Sequence, residues 1–141
     1  VGKIIGSFEI DEPIGRDIKN RTKMSARPDG KEAYSFVKLE ESYQNYSLLE
    51  ISIKTGRTHQ IRVHLSSKKL PIIGDKTYNP SKHIAKDTPS DLVDVIRNFP
   101  RQALHSSQLS FEHPNSNEVL TFNAPMHEDM KDLINSFKKH I

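Results

Sequence analysis

One short stretch of the sequence, residues 54–65, runs Lys54-Thr-Gly-Arg-Thr-His-Gln-Ile-Arg-Val-His-Leu65. Before it, apolar and polar residues alternate over 33–40 and 48–53, which predicts a pair of antiparallel strands. Within it, the apolar spacing becomes that of a helix, so we predict a helix over 59–67 that Thr58 caps and that buries Ile61 and Leu65. A sharp turn from strand to helix, which a glycine permits, is therefore the centre of the predicted fold.

The sequence on either side of this turn predicts further short elements. We expect strands over 3–5, 8–10, 104–111 and 119–122, and helices over 91–97 and 130–139. The polar stretch 17–30 ends in the turn sequence Pro28-Asp-Gly30, and we predict a mobile loop there. Neighbouring strands with few, separated helices are typical of an α+β fold on a mixed, largely antiparallel sheet. A chain of 141 residues without repeats is expected to form one continuous domain over 1–141.

Several classes of chemistry are disfavoured by the composition and motifs. The chain has no cysteine, which excludes disulfides, thiolate catalysis and Cys-based metal sites and favours a cytoplasmic location. No apolar run approaches the roughly 18 residues of a membrane span, and neither a Gly-x-Ser-x-Gly elbow nor a phosphate loop is present. His59 and His64 would lie about 140° apart around a helix, so we predict hydrogen-bonding histidines rather than a metal pair.

The charge distribution points to a partner without deciding between two interpretations. The net charge is only +3, but residues 51–74 contain five basic side chains and no acid. The basic residues are Lys54, Arg57, Arg62, Lys68 and Lys69. They form either a footprint for a polyanion or an ordinary solvated face. Free N–H groups at the start of the predicted helix, beside two guanidinium groups, favour binding of a phosphate or carboxylate.

The same turn carries a resemblance to a known family. It is followed, in order, by Pro71-Ile-Ile-Gly-Asp75 with Tyr78, Arg101-Gln-Ala-Leu-His105, His113-Pro114, and Ala124-Pro125 with Asp129-Met130. Together these segments closely resemble the RluA-like pseudouridine synthases, and most of all the enzymes of large-subunit ribosomal RNA. Gly6 and Pro13-Ile-Gly-Arg16 fit the same family, so the resemblance covers nearly the whole chain.

The resemblance implies an activity and roles for particular residues. It implies isomerisation of specific uridines to pseudouridine in RNA, expected to be ribosomal RNA, without a metal or organic cofactor. The catalytic basic residue that pairs with the family's catalytic Asp corresponds to Arg62, whereas Asp75 matches a Gly-Asp position where we expect a turn. The expected RNA contacts are Arg57, Thr58, His59, Gln60, Lys68, Lys69, Arg101 and His105.

The family's catalytic Asp and its stacking Tyr belong to motifs that precede Val1 in the family order. The resemblance is therefore to the C-terminal portion of a catalytic domain, and we expect residues 1–141 to be inactive alone. We also expect them to bind the missing N-terminal half, or to self-associate through an exposed sheet edge. The alternatives are a non-catalytic RNA-binding module that uses the basic residues 54–69, and a scaffold that binds a protein through its acidic C-terminal part.

Overall fold

The computed structural model describes all residues from Val1 to Ile141. It contains seven strands and three helices, in an order in which the strands come mostly in neighbouring pairs. The elements are β1 (Ser7–Asp11), β2 (Ile14–Arg16), β3 (Met24–Ala26), β4 (Tyr34–Tyr43), β5 (Tyr46–Ile53), α1 (Gln60–Ser67), α2 (Ser90–Asn98), β6 (Gln108–Glu112), β7 (Val119–Asn123) and α3 (Glu128–Lys138). The predicted α+β class is confirmed.

The strands form three separate antiparallel sheets instead of the single sheet that the sequence predicted. The largest has the order β1-β4-β5, with Val37 of the central strand aligned with Phe8 on one side and Ile51 on the other. Strands β2 and β3 make a small hairpin, and β6 and β7 make another. Pairing of β4 with β5 confirms the predicted antiparallel pair, and the alternation of buried and exposed residues along β4 is its physical basis.

Two segments differ from the sequence-based prediction. Residues 3–5 form no strand, and the first strand begins at Ser7. The stretch 17–30 is not a free loop, because Met24–Ala26 pairs with Ile14–Arg16. The backbone N–H of Met24 also donates to the Tyr78 hydroxyl at 2.9 Å, a contact between residues 54 positions apart that no local pattern announces. That bond ties the second hairpin strand to the middle of the chain.

Three apolar clusters connect the sheets to the helices. The largest packs α2 and α3 against the turn end of the β4–β5 pair, where Phe137 lies 4.9 Å from the ring centre of Tyr46. A second joins Leu65 of α1 to Ile10 and Val37 of the main sheet, and a third joins Val63 of α1 to Ile14. Burying each such side chain stabilises the fold by roughly 1.5–3 kcal/mol. Helix α1 is therefore fixed between the main sheet and the β2–β3 hairpin.

Helix α1 starts differently from the prediction. His59, not Thr58, occupies the N-cap position, with a left-handed φ of 57° and no side-chain capping bond. The turn is fixed instead by Gln60, whose Oε1 accepts the Arg57 N–H at 3.1 Å and the Thr55 hydroxyl at 2.7 Å. Val63, His64 and Leu65 are buried along the helix. Leu65 is thus buried as predicted, whereas Ile61 is only half-buried.

The β6–β7 hairpin has one apolar face without a partner. Leu109 and Phe111 lie opposite Phe122 and Leu120, so four apolar side chains share this face. Leu109, Phe111 and Phe122 are 59%, 44% and 56% exposed, and the two phenylalanine rings stack at 5.8 Å. A two-stranded hairpin alone is marginally stable in water, and a contiguous exposed apolar face is typical of an interaction surface.

No helix of the chain is both long enough and apolar enough to cross a membrane, and the longest, α3, has 11 residues.

Candidate functional site

The best-organised polar site of the chain is an ion pair between Arg62 of α1 and Asp75. The Nε and Nη2 atoms of Arg62 each donate a hydrogen bond of 2.8 Å, to Oδ2 and Oδ1 of Asp75 respectively. The Asp75 side chain is 0% exposed and the Arg62 side chain 13%. Two parallel charge-assisted bonds fix the plane of a guanidinium group, so this Arg62 is rigidly oriented.

A tight turn holds the carboxylate in place. Oδ1 of Asp75 also accepts the backbone N–H groups of Thr77 and Tyr78, both at 3.0 Å. The turn begins at Gly74, whose φ is 77°. A Cβ at this position would lie 1.9 Å from the carbonyl oxygen of Arg101, so only glycine fits. The expectation of a turn at Asp75 is confirmed.

Tyr78 closes the site from another side. Its ring centre lies 5.0 Å from Cζ of Arg62, within the range of a cation–π contact. Its hydroxyl accepts the Met24 N–H and lies 2.8 Å from Nδ1 of His59. Arg62 is therefore held at one edge by Asp75 and over one face by Tyr78, while Tyr78 is held by two further elements of the fold.

The charges of the site follow from these contacts. Burial opposes ionisation of Asp75, but the hydrogen bonds from Arg62, Tyr78 and Thr77 outweigh it and hold the pKa of the carboxyl below its ordinary value. Burial, together with the positive charge of Arg62, lowers the pKa of His59. The lowered pKa favours the neutral form of the His59 ring, whose Nδ1 lies within hydrogen-bond distance of the Tyr78 hydroxyl.

One edge of the Arg62 guanidinium is left without a partner. Nε and Nη2 bind Asp75, and Nη1 makes no hydrogen bond within the chain. No buried side-chain nitrogen or oxygen lacks a partner, so Nη1 is accessible to solvent. Its two N–H groups can donate to a second acid or to a phosphate that arrives from outside these residues.

The residues predicted to contact RNA at the start of α1 fall into two groups. Arg57, Thr58 and His59 lie at least partly exposed in the turn before the helix, and the Nε of Arg57 donates to the Glu32 carbonyl at 2.7 Å. Gln60 is 3% exposed, and its side chain bonds within the protein to Thr55, Arg57, Tyr34 and Ser35. The Gln60 side chain is therefore occupied within the fold, and the RNA contacts expected of these residues stay a prediction.

Lys68 and Lys69 lie at the other end of the helix. Eight residues of α-helix span roughly 12 Å, so the predicted basic patch is divided between the two ends of α1. Lys68 is paired with Glu12 at 2.7 Å, whereas Lys69 makes no ion pair. The basic stretch is thus partly neutralised by acids that are remote in sequence.

Arg101 and His105 form no hydrogen bond or ion pair with residues 54–69. Arg101 binds Asp129 through two hydrogen bonds of 2.9 and 2.7 Å and so fixes the start of α3. The Nε2 of His105 lies 3.0 Å from the Ala124 carbonyl at the base of the β6–β7 hairpin. The Arg101 guanidinium is occupied within the fold, although its side chain is 34% exposed.

The Arg62–Asp75 pair and the contact of Tyr78 with Arg62 were not predicted from the sequence. A signal for the pair was present, because Asp75 is the only acid between Glu50 and Asp87. A buried arginine in this stretch therefore had a single nearby carboxylate in the sequence. Nothing local indicated that the Tyr78 ring would lie against the guanidinium.

Nearly the whole chain is similar in sequence to known proteins. A family model described as RNA pseudouridylate synthase matches residues 4–67. Ribosomal large subunit pseudouridine synthase D of Vibrio vulnificus is 37% identical over 99% of this chain, and that of Haemophilus influenzae is 40% identical over 92%. The RNA pseudouridine synthase YlyB of Bacillus subtilis is 41% identical over 93%. The chain covers 43%, 40% and 39% of these three relatives, so it spans about two fifths of their length.

A solved structure also resembles this chain. The protein titled human RNA pseudouridylate synthase domain containing 4 superposes with a TM-score of 0.67 and 21% sequence identity. The superposition covers 94% of this chain and 57% of the other. At this identity the likeness shows a shared fold.

Proposed function

Because the chain belongs to the RluA-like family of RNA pseudouridine synthases, we propose that it is the C-terminal portion of a catalytic domain that isomerises uridine in ribosomal RNA. The observation that supports this most is the oriented guanidinium of Arg62, which keeps one N–H edge free. Relatives named as ribosomal large subunit synthases support ribosomal RNA as the substrate.

The proposed reaction needs a positioned acid more than any other group. The N1–C1′ bond of uridine breaks, the uracil turns, and C5 bonds to C1′ while the C5 proton is lost and N1 gains a proton. The resemblance implies that a catalytic Asp acts on the nucleotide, and the motif that carries this Asp in the family does not occur in residues 1–141. Arg62 would face that carboxylate with Nη1 and keep it ionised, because a nearby cation favours the charged form of an acid. The target base must leave the helical stack before it can reach such a site.

The second partner in this proposal is the remaining half of the catalytic domain. The apolar face of the β6–β7 hairpin is exposed, and the curated relatives are more than twice as long as this chain. We propose that the N-terminal half covers this face and brings the catalytic Asp to Arg62. Residues 1–141 alone would then be inactive, and without the other half they would associate with one another.

An assay of tritium release tests the proposed activity. The substrate is ribosomal RNA labelled with tritium at C5 of uridine, and the protein is the full product of the gene that encodes this chain. We expect tritium release, and a fall of roughly 100-fold or more in kcat for Arg62→Ala when the assay is run at a temperature at which the variant is folded. Its melting temperature should fall, because the buried Asp75 carboxylate loses its partner.

Arg97→Ala is the matched control, because Arg97 is exposed at the end of α2 and makes no ion pair. It should retain the wild-type rate. RNA binding without any tritium release would favour a non-catalytic RNA-binding module, and wild-type turnover by Arg62→Ala would refute the role given to Arg62.

A further inference from the structure

We infer that Asp75 is a positioning residue for catalysis, which acts by aiming the free edge of Arg62. The inference rests on the proposed function and adds to it a residue that never touches RNA. Asp75 is completely buried, so any effect it has on the reaction must pass through the groups that it binds.

Without its contacts, the Arg62 side chain would be free to adopt many conformations. An arginine side chain has several rotatable bonds, and an exposed one samples many rotamers. Here Nε and Nη2 are both fixed at 2.8 Å from the two oxygens of one carboxylate, and the ring of Tyr78 lies 5.0 Å from Cζ. An edge contact and a face contact together leave a single orientation for Nη1.

The Asp75 side chain is itself held in one orientation. Besides Arg62, its Oδ1 accepts two backbone N–H groups, and its main-chain N–H and carbonyl bond to Ile72 and Asn79. At Gly74 the turn packs directly against the Arg101 main chain, since a Cβ there would lie 1.9 Å from the Arg101 carbonyl oxygen. This contact prevents the turn from shifting as a unit. A carboxylate that accepts two backbone N–H groups, on a residue whose main chain makes two further hydrogen bonds, can therefore act as a fixed reference for the guanidinium.

The free Nη1 of Arg62 is the feature of this ion pair that stability alone does not explain. The other two-bond Arg–Asp pair of the chain provides a contrast, because Nη1 of Arg101 also donates to the carbonyls of Gln102 and Leu104. In the Arg62–Asp75 pair two nitrogens are bound and the third faces solvent. That arrangement suits a group whose remaining partner arrives with another part of the protein or with the substrate. A misplacement of about 1 Å in such a group can lower a rate by roughly 100-fold.

The variant Asp75→Asn tests this inference in the full gene product with the tritium-release assay. The amide retains the size of the side chain but offers an N–H to the guanidinium, so Arg62 loses its fixed orientation. We expect kcat to fall by roughly 100-fold while KM for RNA stays within about twofold. The acid limb of the pH–rate profile should move to higher pH, because the catalytic Asp is then less well paired with Arg62.

Asp129→Asn is the matched control, since it breaks the other two-bond Arg–Asp pair of the chain. It should lower the melting temperature and leave the acid limb where it is. If Asp75→Asn does not fold, Asp75→Glu retains the carboxylate but displaces it by one methylene. That variant should shift kcat and the acid limb in the same direction by a smaller amount.

Three outcomes of these assays distinguish the positioning role of Asp75 from the proposed function. A wild-type enzyme without turnover would contradict the proposed function. An active wild type with an Asp75→Asn variant of equal kcat and equal pH profile would overturn only the positioning role. A fall in kcat that matches the fraction of unfolded Asp75→Asn, with the acid limb unmoved, would also overturn it, because it would show a purely structural role.

Discussion

At the scale of single residues, Gly74 decides whether the site exists. Its φ of 77° lies in the left-handed region, and a Cβ at this position would lie 1.9 Å from the Arg101 carbonyl oxygen, which leaves no room for a side chain. Both features would be lost together in any substitution, because the backbone would have to open to admit a Cβ. The position of Asp75, which follows directly, depends on this glycine.

We therefore predict that Gly74→Ala lowers the free energy of unfolding by at least about 2 kcal/mol. Gly56→Ala is the control, because a Cβ there would meet no atom within 4 Å. It should change the stability by no more than roughly 1 kcal/mol. Urea unfolding of both variants measures the difference, and equal midpoints would contradict the account of the Gly74 turn.

The role of a residue could be predicted from the sequence where its side chain acts locally. It could not be predicted where the role depends on burial of the side chain in the folded chain. The interpretation of His64 as a hydrogen-bonding histidine is confirmed, since its ring nitrogens lie 2.8 Å from the Ser35 hydroxyl and the Glu12 carbonyl. For Gln60, a polar residue in a basic stretch suggested a surface role, but the side chain is buried. Its amide instead replaces the missing helix cap, which only the folded turn reveals.

At the scale of elements, the β6–β7 hairpin is the part of the fold that most needs a partner. Its two faces have opposite character, with the four apolar side chains on one and mainly polar side chains such as Ser110 and Thr121 on the other. The sequence predicted an exposed sheet edge as the adhesive feature. We propose instead that the apolar face of the hairpin is the adhesive surface, because it carries Phe111 and Phe122, the two exposed phenylalanines of the chain.

We predict that residues 1–141 associate in a concentration-dependent way and that Phe111→Ser with Phe122→Ser weakens this association at least tenfold. Removing two exposed rings eliminates apolar area that would be buried between copies, and tenfold corresponds to about 1.4 kcal/mol. Sedimentation velocity over a range of concentrations measures it. Ser110→Ala on the opposite face is the control, and an equal effect of that change would show that the apolar face is not the contact.

Elements were predictable where apolar periodicity was strong and were missed where it was absent. The β4–β5 pair, α2 and α3 carry regular apolar spacing, and each was placed within a few residues. The β2–β3 hairpin was missed because its strands have three residues each within a polar stretch. A long-range bond from Met24 to Tyr78 helps to hold it, and such bonds leave no local pattern.

At the scale of the whole molecule, the distribution of charge bears on the proposed binding of RNA. The +3 net charge is too small to act alone, so individual cations without acid partners matter most. Arg57 and Lys69 form no ion pair with any acid, whereas Lys68 is paired with Glu12. These residues should therefore differ in their contribution to binding, although all belong to one basic stretch.

We predict that Arg57→Ala and Lys69→Ala each reduce the salt dependence of RNA binding by roughly one unit of slope per lost phosphate contact. Lys68→Ala should have a smaller effect, because its charge is already compensated. Fluorescence anisotropy with labelled ribosomal RNA fragments between 50 and 200 mM salt, with the full gene product, gives the slopes. If all three slopes equal that of the wild type, the RNA groove lies elsewhere.

The central claim is that these residues are one part of a catalytic domain whose acid comes from the other part. The most direct test mixes residues 1–141 with a separately produced N-terminal half and measures tritium release from C5-labelled uridine in ribosomal RNA. The account predicts no release from either part alone, release from the mixture, and none from a mixture that contains Arg62→Ala. Release by residues 1–141 alone would contradict it, and Asp75 would then be the first acid to examine.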